Sequence, residues 1–278
     1  MELFLYTVLY AFFGWILEVI FYIYKTKSFV NRGFLNGPFV PIYGVSLVSL
    51  HVLLFILVSS FTPITIEVIA IVFILITFIS TLFELVGGIV LFNAFNARWW
   101  DYSDEKLNYK GYISLRFSVI WGVLGTIVFL GLHLQVIVPF VQSLSVTTLY
   151  VITVSLSVVL LIDYAYTLKA LFSFKSLITE FKVRMSALEE RTAKMKSHLP
   201  KSVLKTFETI SENETLRVLT KKYDSIKTRL IDFKDKNFTR DFNSINTISK
   251  DITKTRLFKA FPELKLPFKS KNKGDFDA

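Results

Sequence analysis

The sequence predicts an all-α protein with two parts. The first is a polytopic helical membrane domain of about five transmembrane helices with its N-terminus outside. The second is a cytoplasmic helical or coiled-coil domain. Three observations carry this expectation. Of the 278 residues, 53% are hydrophobic, and the mean hydropathy is +0.51, beyond what soluble domains reach. Charge is unevenly spread: seven of the 32 Lys/Arg and eight of the 22 Asp/Glu precede residue 169. The net charge of +10 is therefore about −1 over the first 168 residues and about +11 over the rest. Finally, apolar runs recur at the roughly 20-residue length that a bilayer demands.

The first run, Leu3 to Tyr24, has no basic segment before it and no small-residue cleavage site after it, so it is expected to be a helix of the mature chain. The second is about Pro38 to Ser60 and the third about Ile64 to Phe95. Tyr112 to Ser173 is too long for one span. Pro139 suggests a break, giving spans of about 112–134 and 144–168 with a turn that could hide a re-entrant segment. Lys25, Lys27 and Arg32 mark the 25–37 loop, and Arg98, Lys106 and Lys110 the 96–111 loop. The stretches near 61–63 and 135–143 carry no basic residue. By the positive-inside rule the first pair of loops is cytoplasmic.

Beyond Leu168 the fifth helix is expected to leave the membrane. Phe174, Ile178, Phe181, Met185, Leu188, Thr192, Met195 and Leu199 alternate in steps of four and three, an a/d seam that Pro200 ends. A second seam runs from Leu216 to Phe233 with Asn213 as its N-cap, and a third links Phe238, Phe242, Ile245, Ile248 and Ile252. Residues 169–262 thus read as a basic hairpin or coiled coil, and 263–278 as a disordered tail. The basic residues are interspersed with acids and suit anionic lipid better than nucleic acid, for which no module is present.

Three acids fall inside the apolar runs. At 1.5 Å per residue, Glu18 lies about 24 Å along the first helix and Glu84 about 30 Å along the third. Asp163 is near the end of the fifth. All three fall in the cytoplasmic half, where an unpaired carboxylate costs at least about 2.5 kcal/mol. Ala11, Gly14 and Glu18 share a helical face, as do Ser80, Glu84, Gly87 and Gly88, and in the fourth helix Ser118, Gly122 and Gly125. Small residues so spaced let helices approach closely in lipid and turn the acids inward.

The stretch FVNRGFLNGPFVPIYG, residues 29–44, is too irregular for a helix and too apolar for a surface loop. Irregular backbone at membrane depth must be buried in protein or line a wet cavity. It is read as a re-entrant-like turn whose Arg32 neutralises Glu18 or Glu84. With the RWWDYSD run opposite, the sequence predicts a polar pocket at the cytoplasmic leaflet. Its candidate ligand-binding residues are Glu18, Asn31, Arg32, Asn36, Glu84, Arg98 and Asp101. Buried Arg–Glu pairs can also be purely architectural. Trp99 and Trp100 are expected as headgroup anchors, and His51 and His133 as lone packing or interfacial residues without metal-ligand spacing.

With no cysteine, disulfides, thiol catalysis and Cys-ligated zinc are excluded. No G-x-S-x-G run supplies a nucleophile. There is no P-loop, so ATP hydrolysis would need another subunit. No cofactor or metal site is expected. Three functions fit: a permease, an enzyme acting on lipid headgroups, or a scaffold that recruits a partner or a second copy through its tail.

GWILEV, the NRGFLNGP-x-x-PIYG run, RWWDYSD and SLRFSVIWGVLG resemble the CmpB-like family of bacterial membrane proteins, labelled ABC-transporter type IV permeases. The resemblance covers about residues 1–135, and RLFKAFPELK (256–265) is similar to the tail of longer members. It implies a multi-pass protein of the bacterial inner membrane, among membrane lipids, with a separate ATPase subunit as partner. It brings no established ligand.

Overall fold

A computed structural model describes residues 1–57, 64–95, 97–194 and 236–261. The expectations for the 61–63 stretch, the 213–233 seam, Pro200 and the 263–278 tail lie outside these residues. The chain divides into two compact units. The first is Met1–Val90 with Asp101–Leu168, and the second is Leu91–Trp100 with Lys169–Ala278.

The first unit is helical throughout, apart from its loops and one short hairpin. It contains α1 (Glu2–Thr26), α2 (Pro41–Leu57), most of α3 (Ile66–Phe95), α4 (Leu115–Ile127), a π-helical segment (Val128–Ile137), α5 (Val138–Gln142) and the start of α6 (Val146–Lys194). Among the described residues, four helices are long and apolar enough to cross a membrane: Glu2–Thr26, Ile66–Phe95, Leu115–Gln142 and Val146–Leu188. The second predicted span corresponds to α2, a shorter apolar helix of 17 residues.

α1 and α2 pack closely because Gly44 presents bare backbone to α1. A methyl group there would overlap the Thr7 carbonyl. One apolar cluster joins Leu50 and Leu54 of α2 to Val72, Ile76 and Ile79 of α3 and to Phe129 and Leu130 of the π segment. A second joins Leu5, Tyr6 and Tyr10 of α1 to Ile137, Val141 and Leu149. Exposed apolar side chains such as Ile74, Phe78, Val158 and Leu161 suit contact with acyl chains.

The break expected at Pro139 is displaced. The helix runs through it to Gln142, and the turn before α6 is only Ser143–Ser145. Pro139 sits at the start of α5, directly after the π segment. There the wider ladder bonds the Val138 N–H to the carbonyl of His133, and a proline's missing N–H costs little in a first turn. No re-entrant segment forms. The 29–44 stretch is likewise shorter than predicted, because Pro41–Gly44 already form the first turn of α2.

The 97–114 region holds a hairpin that the sequence reading did not anticipate. β1 (Asn108–Tyr109) and β2 (Ile113–Ser114) pair Asn108 with Ser114 and Tyr109 with Ile113. Lys110 and Gly111 both take positive φ, 50° and 72°, in a three-residue connection that the Tyr112 N–H closes onto the Tyr109 carbonyl at 3.0 Å.

In the second unit, α7 (Lys236–Lys254) and α8 (Arg256–Ala260) follow α6. Phe174, Ile178, Phe181, Met185 and Leu188 of the first seam are buried, as are Ile245, Ile248 and Ile252 of α7. Trp99 is 7% exposed and meets Phe95 and Phe261 ring to ring. That places it in the unit's core.

Candidate functional site

Two carboxylates of the first unit carry its central polar network. Glu18, on the inner face of α1, accepts from the Tyr43 hydroxyl at 3.0 Å and pairs with Arg32 Nη2 at 3.5 Å. The Arg32 guanidinium also lies 5.2 Å from the centroid of Tyr22. Glu84, on α3, accepts from the Tyr102 hydroxyl at 2.7 Å and has Trp121 as a further polar neighbour. Its other oxygen, Oε2, is buried with no hydrogen bond among the described residues. Tyr43 stands edge-on to Trp121 at 5.9 Å and feels the charges of both Glu18 and Glu84. The two acids thus belong to one neighbourhood lined by tyrosine and tryptophan.

The second oxyanion group is Asp163, on α6. It accepts from the backbone N–H groups of Asn36 and Gly37, each at 2.8 Å, while the Asn36 N–H also reaches Thr167 Oγ1 at 2.9 Å. A Cβ on Gly37 would come within 2.7 Å of Asp163 Oδ2, so only glycine permits this approach. Asn31 ties the same loop to α1. Its Oδ1 accepts from Trp15 Nε1 at 2.8 Å and from the Gly33 N–H at 2.9 Å, and its Nδ2 donates to the Asn36 carbonyl at 3.0 Å. The irregular loop is therefore a strap whose Asn36 and Gly37 N–H groups are met by Asp163 and Thr167 of α6 and whose Val40 N–H is met by the Ala11 carbonyl of α1, as burial demands.

The seven predicted residues take four different positions. Glu18 and Arg32 meet directly, and Glu84 joins their surroundings through Tyr43 and Tyr102. Asn31 and Asn36 shape the strap, Asn36 through its backbone. Asp101 caps a turn, accepting from the Ser103 N–H at 2.9 Å. Arg98 belongs to the second unit, where it lies 5.6 Å from the Phe92 centroid. Sequence reasoning missed Tyr43, Tyr102 and Trp121, which carry no charge to betray them. Tyr102 lies outside the spanning helices and stacks on Phe117 at 4.7 Å. Burial, and then the nearby Glu84 carboxylate, push its phenol above the ordinary value of 10, so it remains a donor at physiological pH.

An open groove of about 370 Å³ runs alongside the strap. α1 lines it with Phe4 and Val8, the strap with Leu35 and Phe39, and α6 with Leu161 and Tyr164.

A protein-family model described as "Putative ABC-transporter type IV" matches residues 5–168. No curated protein and no solved structure matches the chain.

Proposed function

The chain belongs to the CmpB ABC-transporter type IV family, and from that premise we propose a permease-like protein that takes a small polar or amphiphilic ligand at the cytoplasmic leaflet of the bacterial inner membrane. The observation that carries this reading is Glu84. It is an intramembrane acid with one oxygen bonded to Tyr102, the other buried and unmet, and no ion-pair partner among the described residues. An acid at membrane depth is costly and marks a site by default. A ligand carrying a hydrogen-bond donor or a cationic group would complete it. The Arg32–Glu18 pair beside it would read an accompanying anionic or carbonyl group. The apolar groove along the strap favours a ligand with an acyl portion.

In this reading the strap and the tail face the cytoplasm and the N-terminus the outside, which the distribution of basic loops supports. A chain without a P-loop would draw energy for transport from a separate ATPase subunit. Native mass spectrometry of the purified protein tests the pocket. A small polar or amphiphilic molecule should be retained by the wild type and lost from both Glu18→Gln and Arg32→Ala. If both variants retain it as the wild type does, the network is architecture alone.

A further inference from the structure

His51 and His133 lie 82 positions apart and meet inside the membrane domain. His133 Nε2 is 2.9 Å from His51 Nδ1, with the rings perpendicular at 5.0 Å. The expectation of two lone packing histidines is corrected here: helix packing makes them a pair. His133 is 0% exposed and is walled by the rings of Tyr6, Tyr10 and Phe129 at 5.1–5.5 Å. Its Nδ1 and the Tyr10 hydroxyl are both buried without a hydrogen-bond partner among the described residues. It also sits in the π segment, with its own carbonyl accepting the bond that closes the widened ladder. π-Helical geometry is rare and frequently found at functional sites.

Counting protons shows what the arrangement does. A neutral imidazole has one N–H and one bare nitrogen, so two neutral rings sharing a hydrogen bond have two arrangements. In one, His133 Nε2–H donates to His51 Nδ1, leaving His133 Nδ1 bare and His51 Nε2 protonated. In the other, His51 Nδ1–H donates to His133 Nε2, leaving His51 Nε2 bare and His133 Nδ1 protonated. The first costs less, because the unmet group on the buried ring is then a lone pair and not an N–H.

We propose that the His51–His133 pair is an intramembrane proton relay. A proton arriving at the bare His133 Nδ1 lets Nε2–H pass to His51 Nδ1, and His51 releases the proton on its Nε2. One proton enters, one leaves, and the pair ends in the second arrangement. Running the sequence backwards would only return the proton, so rotation of both rings, which restores the first arrangement, must follow each transfer before a second proton moves the same way. A concerted hop keeps a full imidazolium from residing in hydrocarbon, where charge is costly.

The ionisable groups around the pair are few. From α1 come Tyr6 and Tyr10, with Glu2 acting on His51 electrostatically. α2 and the π segment have no charged residue. α3 offers Glu67 at its first turn and Glu84, already bonded to Tyr102. α6 offers Tyr150, which is exposed, and Asp163, held by the strap. The relay does not depend on the ligand pocket, and its test has no ligand in it.

The test uses the full-length protein in vesicles of phosphatidylethanolamine and phosphatidylglycerol. An internal pH dye is present, and a potassium diffusion potential is set with valinomycin. The wild type should carry protons well above protein-free vesicles, and His133→Gln and His51→Gln should lower the flux roughly a hundredfold. Wild-type flux equal to that of empty vesicles, or undiminished in both variants, overturns the relay. Should a variant fail to fold, ¹⁵N-histidine spectra of the His198→Gln protein decide. His133 Nε2 and His51 Nδ1 should show shifts averaged by proton exchange, and two fixed tautomers without exchange overturn the proposal.

Discussion

Glu84 and Asp163 both lie in helices long and apolar enough to cross a membrane, and they are met in opposite ways. Asp163 accepts two backbone N–H groups of the strap and so closes its own account. Asp163→Asn halves the acceptor capacity facing Asn36 and Gly37 and should cost about 1–3 kcal/mol, read as a lower unfolding midpoint in micelles. Gly37→Ala pushes a methyl toward the same carboxylate. It should release the strap, seen as faster proteolysis between residues 28 and 40 with the helices intact. Glu84 depends on the Tyr102 phenol, whose raised pKa fixes the direction of a pH effect. The folded state favours the protonated phenol, so that share of stability is complete below pH 10 and is lost as pH climbs above it. Unfolding measured from pH 7 to pH 11 should show a wild-type decline above pH 10 that is shallower in Tyr102→Phe. At this scale the charged residues Glu18, Arg32 and Glu84 were legible in the sequence because charge in an apolar run is conspicuous. Tyr43, Trp121 and the histidine pair were not, because an aromatic residue in a greasy helix reads as packing until its neighbour is known.

The helices followed from apolar runs of sufficient length, whereas the close approach of α1 and α2 rests on Gly44, which no small-residue face of the sequence pointed to. Gly44→Leu would drive a side chain into the α1 backbone at Thr7. It should abolish the α1–α2 contact, with loss of folded protein on size-exclusion chromatography where Gly131→Leu, in open space, remains monodisperse. Pro139 misled the reading because a proline's effect depends on the ladder before it. After a π segment it begins a new α-helical stretch, and no pattern in VFLGLHLQVI announces the wider turn. The hairpin of residues 108–114 was missed for a simpler reason. Its two-residue strands are too short for an alternating pattern, and only the Lys110–Gly111 turn could have signalled it.

Over the whole molecule, membrane character is written in the uneven distribution of charge, since seven basic residues before residue 169 leave little but apolar helix. The proposed orientation is open to a direct check because the chain has no cysteine. Ser143→Cys, between α5 and α6, should react with a membrane-impermeant maleimide in intact cells, and Ser28→Cys, in the strap-bearing loop, only after lysis. The opposite pattern would invert the protein and move the pocket to the outer leaflet.

The sequence by itself determined that the chain is helical and membrane-bound. Those outcomes depend on local quantities: the length of an apolar run, and the cost of a charge in hydrocarbon. Only the tertiary structure decided which side chains meet. Arg32 reaches Glu18, Asp163 holds the strap, and His51 finds His133. Pairing between distant positions depends on helix rotation and crossing, and these are set by all the packed side chains together.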